Sequence, residues 1–64
     1  MTEQQATDIR NDYLSWSGGW PPDSEESIFV YVETSVPVGH DDREVIALLR
    51  QWMLAAGNAY AQPM

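Results

Sequence analysis

The sequence contains no cysteine and no lysine, and it has a single histidine among 64 residues. Without cysteine it can form neither a disulfide nor a thiolate metal site, and one histidine does not make a zinc site without further ligands. A chain this short buries only about 60% of the surface that its unfolded form exposes, so its stability is marginal. Oligomerisation or a tightly bound partner is the common means of reinforcement that remains.

Basic residues are scarce, since three arginines stand against ten Asp and Glu and the net charge is -7. Lys and Arg are the residues that hold a phosphate backbone, so this balance argues against direct nucleic-acid binding and against an anionic membrane surface. A basic protein is the expected partner.

Long apolar runs are also missing. No segment approaches the roughly 20 apolar residues of a membrane span, and residues 1–10 lack the apolar core of a secretion signal. The sequence therefore predicts a cytoplasmic protein that does not contact a membrane. If the chain is phage-encoded, this is the cytoplasm of the host.

The N-terminal segment has the spacing of an amphipathic helix. Thr2 followed by Gln5 matches a capping box, which predicts a helix over about residues 3–16. Gly18 and Gly19 favour its end, because glycine readily adopts left-handed backbone. The predicted apolar stripe consists of Ala6, Ile9, Tyr13 and Trp16.

A second amphipathic helix is predicted over about residues 42–56. Asp41 occupies its N-cap position and Glu44 the reciprocal position three residues later. Gly57 and the asparagine after it predict the end of this helix, which leaves residues 58–64 as a loose tail. The predicted core-facing stripe consists of Val45, Leu48, Leu49, Trp52, Met53 and Ala56.

Residues 27–36 alternate with the two-residue period of a strand. Apolar even positions from Ile28 to Val36 would line its inner face, and its outer face would carry Phe29, Tyr31 and Glu33. A single strand leaves backbone donors and acceptors unpaired. We therefore expect it to pair with a second copy across a homodimer or with the sheet edge of a partner.

The predicted fold is a small single acidic domain over residues 1–64, of class α/β (α+β) and order helix, strand, helix. Two aromatic side chains on the outer strand face indicate that a second subunit or a partner covers this face. The alternative is a monomer in which one helix packs on each face of the strand.

Acidic residues are concentrated in the first 26 positions, which hold six acids and one arginine. Five of them are candidates for a carboxylate array that imitates a nucleic-acid backbone and enters a basic cleft: Asp8, Asp12, Asp23, Glu25 and Glu26. The alternative is an ordinary solvated surface that keeps a small protein in solution.

Trp20 lies outside any periodic pattern, next to two prolines. Tryptophan is enriched at binding hot spots, so this residue is a candidate docking anchor. The alternative is that Trp16 belongs to the core and Trp20 folds over it as a lid.

The sequence predicts no enzyme, no cofactor and no metal site. His40 beside Asp41 and Asp42 superficially resembles a metal cluster, but acids at a helix start are favoured by the helix dipole alone. No nucleophile, phosphate-binding loop or acid–base pair can be assembled from the remaining residues.

These features together predict a small acidic protein that binds a basic, nucleic-acid-handling target and inhibits or modulates it, as phage-encoded anti-CRISPR or anti-restriction proteins do. The predicted contact residues are Asp8, Asp12, Trp20, Asp23, Glu25, Glu26, Phe29, Tyr31 and Glu33. The alternative function is a structural homo-oligomer or assembly subunit that self-associates through the strand.

Overall fold

The structure is a computed structural model that describes residues 1–61, with side chains described as far as Gly57. Its helices are α1 Glu3–Ser17, α2 Glu25–Thr34 and α3 Asp42–Ala61, and residues 1–61 contain no strand. The predicted α/β class is therefore wrong. The segment that was expected to form a strand forms α2 instead. The expected strand pairing with a second copy or with a partner's sheet is therefore also wrong.

Helix α2 begins at a well-formed N-cap. The Ser24 hydroxyl accepts a hydrogen bond from the Ser27 amide at 3.2 Å, and Glu25 and Glu26 occupy the first turn, where the helix dipole favours acids. Local capping therefore supports a helix here.

Burial along α2 follows the helical period rather than the strand period. Its buried residues, at positions i, i+3 and i+4, are Ile28, Tyr31 and Val32. Phe29 and Val30 remain 42% and 43% exposed, although the strand prediction placed them on opposite faces. The β-branched residues that suggested a strand are accepted in a helix, because packing against the neighbouring helices outweighs their intrinsic preference.

Helix α1 confirms the prediction and is one residue longer at its end. The Gln5 amide donates to the Thr2 hydroxyl at 3.1 Å, and the Thr2 amide donates to the Gln5 side-chain oxygen at 2.8 Å. Gly18 ends the helix with φ +85°, and its amide donates to the Leu14 carbonyl. This left-handed backbone explains why glycine occupies the position.

Helix α3 starts as predicted but ends later. Asp41 accepts a hydrogen bond from the Arg43 amide at 2.8 Å, whereas the Glu44 carboxylate lies 3.3 Å from the amino group of Met1. The helix continues through Gly57 to Ala61, so the predicted end and the start of the loose tail are wrong; residues 62–64 lie outside the described part. Neither α3 nor another helix of the described chain combines the length and apolarity needed to cross a membrane.

All three helices contribute to one apolar core. Its buried members are Ile9, Tyr13, Ile28, Tyr31, Val32, Val45 and Leu49. Leu48, Trp52 and Met53 pack against it from α3 and are partly buried. Most of the apolar stripes predicted for the first and last helices therefore face the core, whereas Trp16 remains 39% exposed. Helix α3 contacts both α1 and α2, so it is the element on which the other two are assembled.

Candidate protein-binding surface

The predicted carboxylate array is divided by the fold, because some of its acids are engaged within the protein. Asp12 accepts a hydrogen bond from the Tyr31 hydroxyl at 2.6 Å, which connects α1 to α2. Burial, and then this hydrogen bond, raise the pKa of Tyr31 well above its ordinary value. Tyr31 is completely buried, so it is a core residue and is not accessible as the predicted anchor.

Glu25 is engaged in the same way with α3. The Nε atom of Arg50 lies 3.0 Å from both carboxylate oxygens of Glu25, and a second guanidinium nitrogen also donates to this carboxylate. These hydrogen bonds lower the pKa of Glu25 below its ordinary value. The ion pair is exposed, but it neutralises the Glu25 carboxylate, which we had expected to contact a partner.

Asp8 and Asp23 are both exposed and belong to different elements. Asp8 lies on α1, where it accepts a hydrogen bond from the Gln4 side chain at 2.9 Å. Asp23 precedes α2, where it accepts one from the Ser27 hydroxyl at 3.3 Å. Asp8 lies one turn before Asp12 on α1, whereas Asp23 and Glu25 lie at or just before the start of α2.

The outer face of α2 carries the remaining predicted acids together with exposed apolar side chains. Its members recur at positions i, i+3, i+4 and i+7: Glu26, Phe29, Val30 and Glu33. Within the described chain, neither Glu26 nor Glu33 forms a side-chain hydrogen bond or ion pair. This face therefore presents two exposed apolar side chains between two unpaired carboxylates. Sequence analysis missed Val30, because a strand would have turned it inward.

Trp20 is 69% exposed, so it does not fold over the core as a lid. Its backbone is fixed by Ser17, whose hydroxyl accepts from the Trp20 amide at 3.1 Å and donates to the Trp20 carbonyl at 2.6 Å. Trp16 lies at the edge of the core, with its ring 5.2 Å from that of Tyr13 and 5.5 Å from that of Tyr31. Trp16 is therefore partly packed against the core, whereas most of the Trp20 side chain is exposed.

The segment from Trp20 to Asp23 lies between two surface hollows. The first has a volume of about 240 Å³ and opens towards α3, with Pro22, Met53 and Ala56 among its lining residues. The second, which we call the aromatic hollow, has a volume of about 310 Å³ and is lined by Tyr13, Trp16, Ser17, Trp20, Asp23 and Ser27, with Pro21. Burial raises the pKa of Tyr13, and the negative charge of Asp23 raises it further. The carboxylate therefore acts electrostatically on this hollow.

Among the residues that the structure describes, no group of three or more His, Cys, Asp or Glu is placed to hold an ion. The residues around His40 serve the start of α3, where Asp41 makes a backbone hydrogen bond.

The fold and its surfaces define a small acidic three-helix protein with exposed aromatic residues. Comparison with known proteins finds no matching family model, no similar curated protein and no similar solved structure. The functional argument therefore depends on the surfaces of this chain.

Proposed function

We propose that this chain is a protein-binding module that inhibits or modulates a basic, nucleic-acid-handling protein by covering part of its surface. The observation that carries this proposal is the outer face of α2, where exposed Phe29 and Val30 lie between unpaired Glu26 and Glu33 on a protein of net charge -7. This face replaces the strand-based contact surface that the sequence suggested.

The chemistry of this face fits a target groove that is apolar at its centre and basic at its edges. A helix commonly binds a partner by placing residues spaced at i, i+3, i+4 and i+7 in such a groove. Phe29 and Val30 would supply the desolvated contact, while the acidic charge accelerates encounter and selects against acidic partners. Direct nucleic-acid binding is disfavoured for the same electrostatic reason.

Self-association through the outer face of α2 is disfavoured by charge. Two copies that buried Phe29 and Val30 against each other would bring Glu26 and Glu33 close to identical carboxylates, and juxtaposed like charges oppose association. A homodimer or larger assembly is therefore the second candidate, and the experiment below separates it from the first. The proposal locates the activity in the cytoplasm, by analogy with phage-encoded anti-defence inhibitors, and includes no enzymatic role or cofactor.

The experiment that tests the proposal is affinity capture from a nuclease-treated bacterial lysate, followed by elution in rising salt. The captured protein is then purified, and its activity on nucleic acid is measured with and without this chain. The test variant is the double substitution Glu26→Gln/Glu33→Gln. The matched control is Glu3→Gln/Asp42→Asn, which removes the same charge from exposed positions on the other two helices.

We expect a basic protein to be retained without nucleic acid, to elute as salt rises, and to lose activity when bound. The test variant should bind it about tenfold more weakly, whereas the control should change its affinity by about twofold or less. Equal losses in both variants would overturn the assignment to α2, and capture of only further copies of this chain would support the assembly instead.

A further inference from the structure

The aromatic hollow combines exposed indole surface with a carboxylate. Trp16 and Trp20 are 39% and 69% exposed, and both line the hollow together with Asp23. Exposed tryptophan is uncommon on a soluble protein unless it contacts something, because its ring is the largest apolar side chain. The faces of indole rings attract cations, and this attraction is stronger for tryptophan than for other aromatic residues.

The hollow is organised before any partner binds. Ser17 makes two hydrogen bonds to the backbone of Trp20, and the two prolines that follow restrict the chain further. Trp16 is held on the other side by its ring contacts with Tyr13 and Tyr31. A site whose walls are fixed in this way loses less conformational entropy on binding than a mobile loop would.

Asp23 gives the hollow its charge. One of its oxygens accepts a hydrogen bond from the Ser27 hydroxyl at 3.3 Å, and a carboxylate has further acceptor capacity. The hollow is therefore complementary to a positively charged group that also offers hydrogen-bond donors. A neutral apolar ligand would offer this carboxylate neither an opposite charge nor a further hydrogen-bond donor.

We propose that the aromatic hollow binds the side chain of an arginine presented by the partner protein, with the guanidinium stacked on indole surface and hydrogen-bonded to Asp23. This inference rests on the proposed function, because it assigns a specific contact to the basic target. Guanidinium is planar, weakly hydrated and able to stack while it donates to a carboxylate, whereas the lysine ammonium is compact and strongly hydrated. The combination of indole and carboxylate therefore favours arginine.

The experiment uses a short probe in place of the target. The probe is acetyl-Gly-Arg-Gly-amide, and its control is the citrulline peptide of the same shape, which has no charge. Binding is followed at constant ionic strength through the indole N–H signals of the labelled full chain. We expect the Trp16 and Trp20 signals to shift with the arginine peptide, and we expect the citrulline peptide to bind about tenfold more weakly.

Matched variants test whether the site is the hollow or the general acidic surface. Asp23→Asn and Asp42→Asn each remove one negative charge from an exposed aspartate at or next to the start of a helix, but only Asp23 lines the hollow. Asp23→Asn and Trp20→Leu should each weaken binding of the arginine peptide about fivefold or more, and Asp42→Asn should change its affinity by about twofold or less. Trp20 is mostly exposed, so its replacement leaves the core intact.

Equal affinity for the arginine and citrulline peptides would overturn the inference, as would equal losses in Asp23→Asn and Asp42→Asn. Tighter binding of acetyl-Gly-Lys-Gly-amide would overturn the choice of arginine. These failures are distinguishable from failure of the proposed function, because the capture experiment depends on Glu26 and Glu33 and does not use the peptides.

Discussion

Replacing Tyr31 by phenylalanine removes the hydrogen bond that connects α1 to α2. The Tyr31 ring is completely buried, and its hydroxyl lies 2.6 Å from an Asp12 oxygen. A hydrogen bond to a charged group contributes about 1.5–3 kcal/mol when it is shielded from water. Asp12 is half-buried, so water can solvate its carboxylate once the hydroxyl is gone. We therefore expect Tyr31→Phe to lower the free energy of unfolding by about 1–2 kcal/mol.

This loss is large for a chain of 64 residues. Domains have a total stability of about 0.05–0.15 kcal/mol per residue, or roughly 3–10 kcal/mol here. In a domain of this size the midpoint of thermal unfolding should fall by about 5–15 °C. Urea unfolding followed by circular dichroism measures the change in free energy directly.

A double-mutant cycle assigns the effect to the hydrogen bond. Tyr31→Phe and Asp12→Ala should show a coupling energy of about 1 kcal/mol, because either substitution removes the same bond. Tyr31→Phe and Asp8→Ala serve as the control, since Asp8 lies one turn earlier on α1 and bonds to Gln4 instead. That pair should be additive within about 0.5 kcal/mol. Additivity in the Asp12 pair as well would refute the hydrogen bond between Tyr31 and Asp12.

The remaining predictions concern helix ends and titration. Gly57→Ala should stabilise the protein by about 0.5–1 kcal/mol, because the residue lies within α3 with open space around it, whereas Gly18→Ala should destabilise it by about 1 kcal/mol because its φ is left-handed. Thermal unfolding of both variants checks this, and a loss of stability in Gly57→Ala would show that α3 ends there. The exposed ion pair with Arg50 lowers the folded-state pKa of Glu25, so the stability that the pair contributes is present above the unfolded-state pKa of Glu25 and is lost as the pH falls through the folded-state pKa. Glu25→Gln should therefore lower the midpoint of thermal unfolding at neutral pH and lower it less in acid. An equal change at neutral and acid pH would contradict the ion pair. The pKa of Tyr31 is raised in the folded state, so the stability that its protonated hydroxyl contributes is complete below a pH of about 10 and is lost as the pH rises further. Above that pH the free energy of unfolding should fall more steeply with pH in the unmodified protein than in Tyr31→Phe. Equal pH dependence in the two proteins would contradict this titration.

Local signals made α1 and the start of α3 predictable. Thr2, Gln5 and Gly18 act on backbone groups within a few residues of themselves, so their effect can be read without the tertiary structure. Gly57 shows the limit of this reasoning, because glycine permits left-handed backbone without requiring it. Where the chain does not turn away, the helix simply continues.

The error in α2 has a specific origin. The run from Ile28 to Val32 fits both an alternating pattern and a helical one, and its β-branched residues favoured the first. The N-cap serine at position 24, followed by two acids, was the local signal for a helix. In a short apolar run such capping is more informative than alternation, because alternation over so few residues is satisfied by either structure.

The roles of the acids could not be read from sequence, because they depend on contacts between distant residues. Asp12 and Tyr31 are 19 positions apart, and Glu25 and Arg50 are 25 positions apart. The sequence left two possibilities open for Trp20, an exposed anchor or a lid over the core, and the structure shows it exposed.

This division of the acids determines how binding experiments on the protein must be interpreted. A charge variant at Asp12 or Glu25 alters the connections among the helices, so a loss of binding there reports on folding as much as on contact. Glu26 and Glu33 have no such side-chain partners within the described residues, so their replacement breaks no contact between helices. The acidic-inhibitor proposal therefore depends on whether these two unpaired carboxylates, and not the total charge, set the affinity for the target.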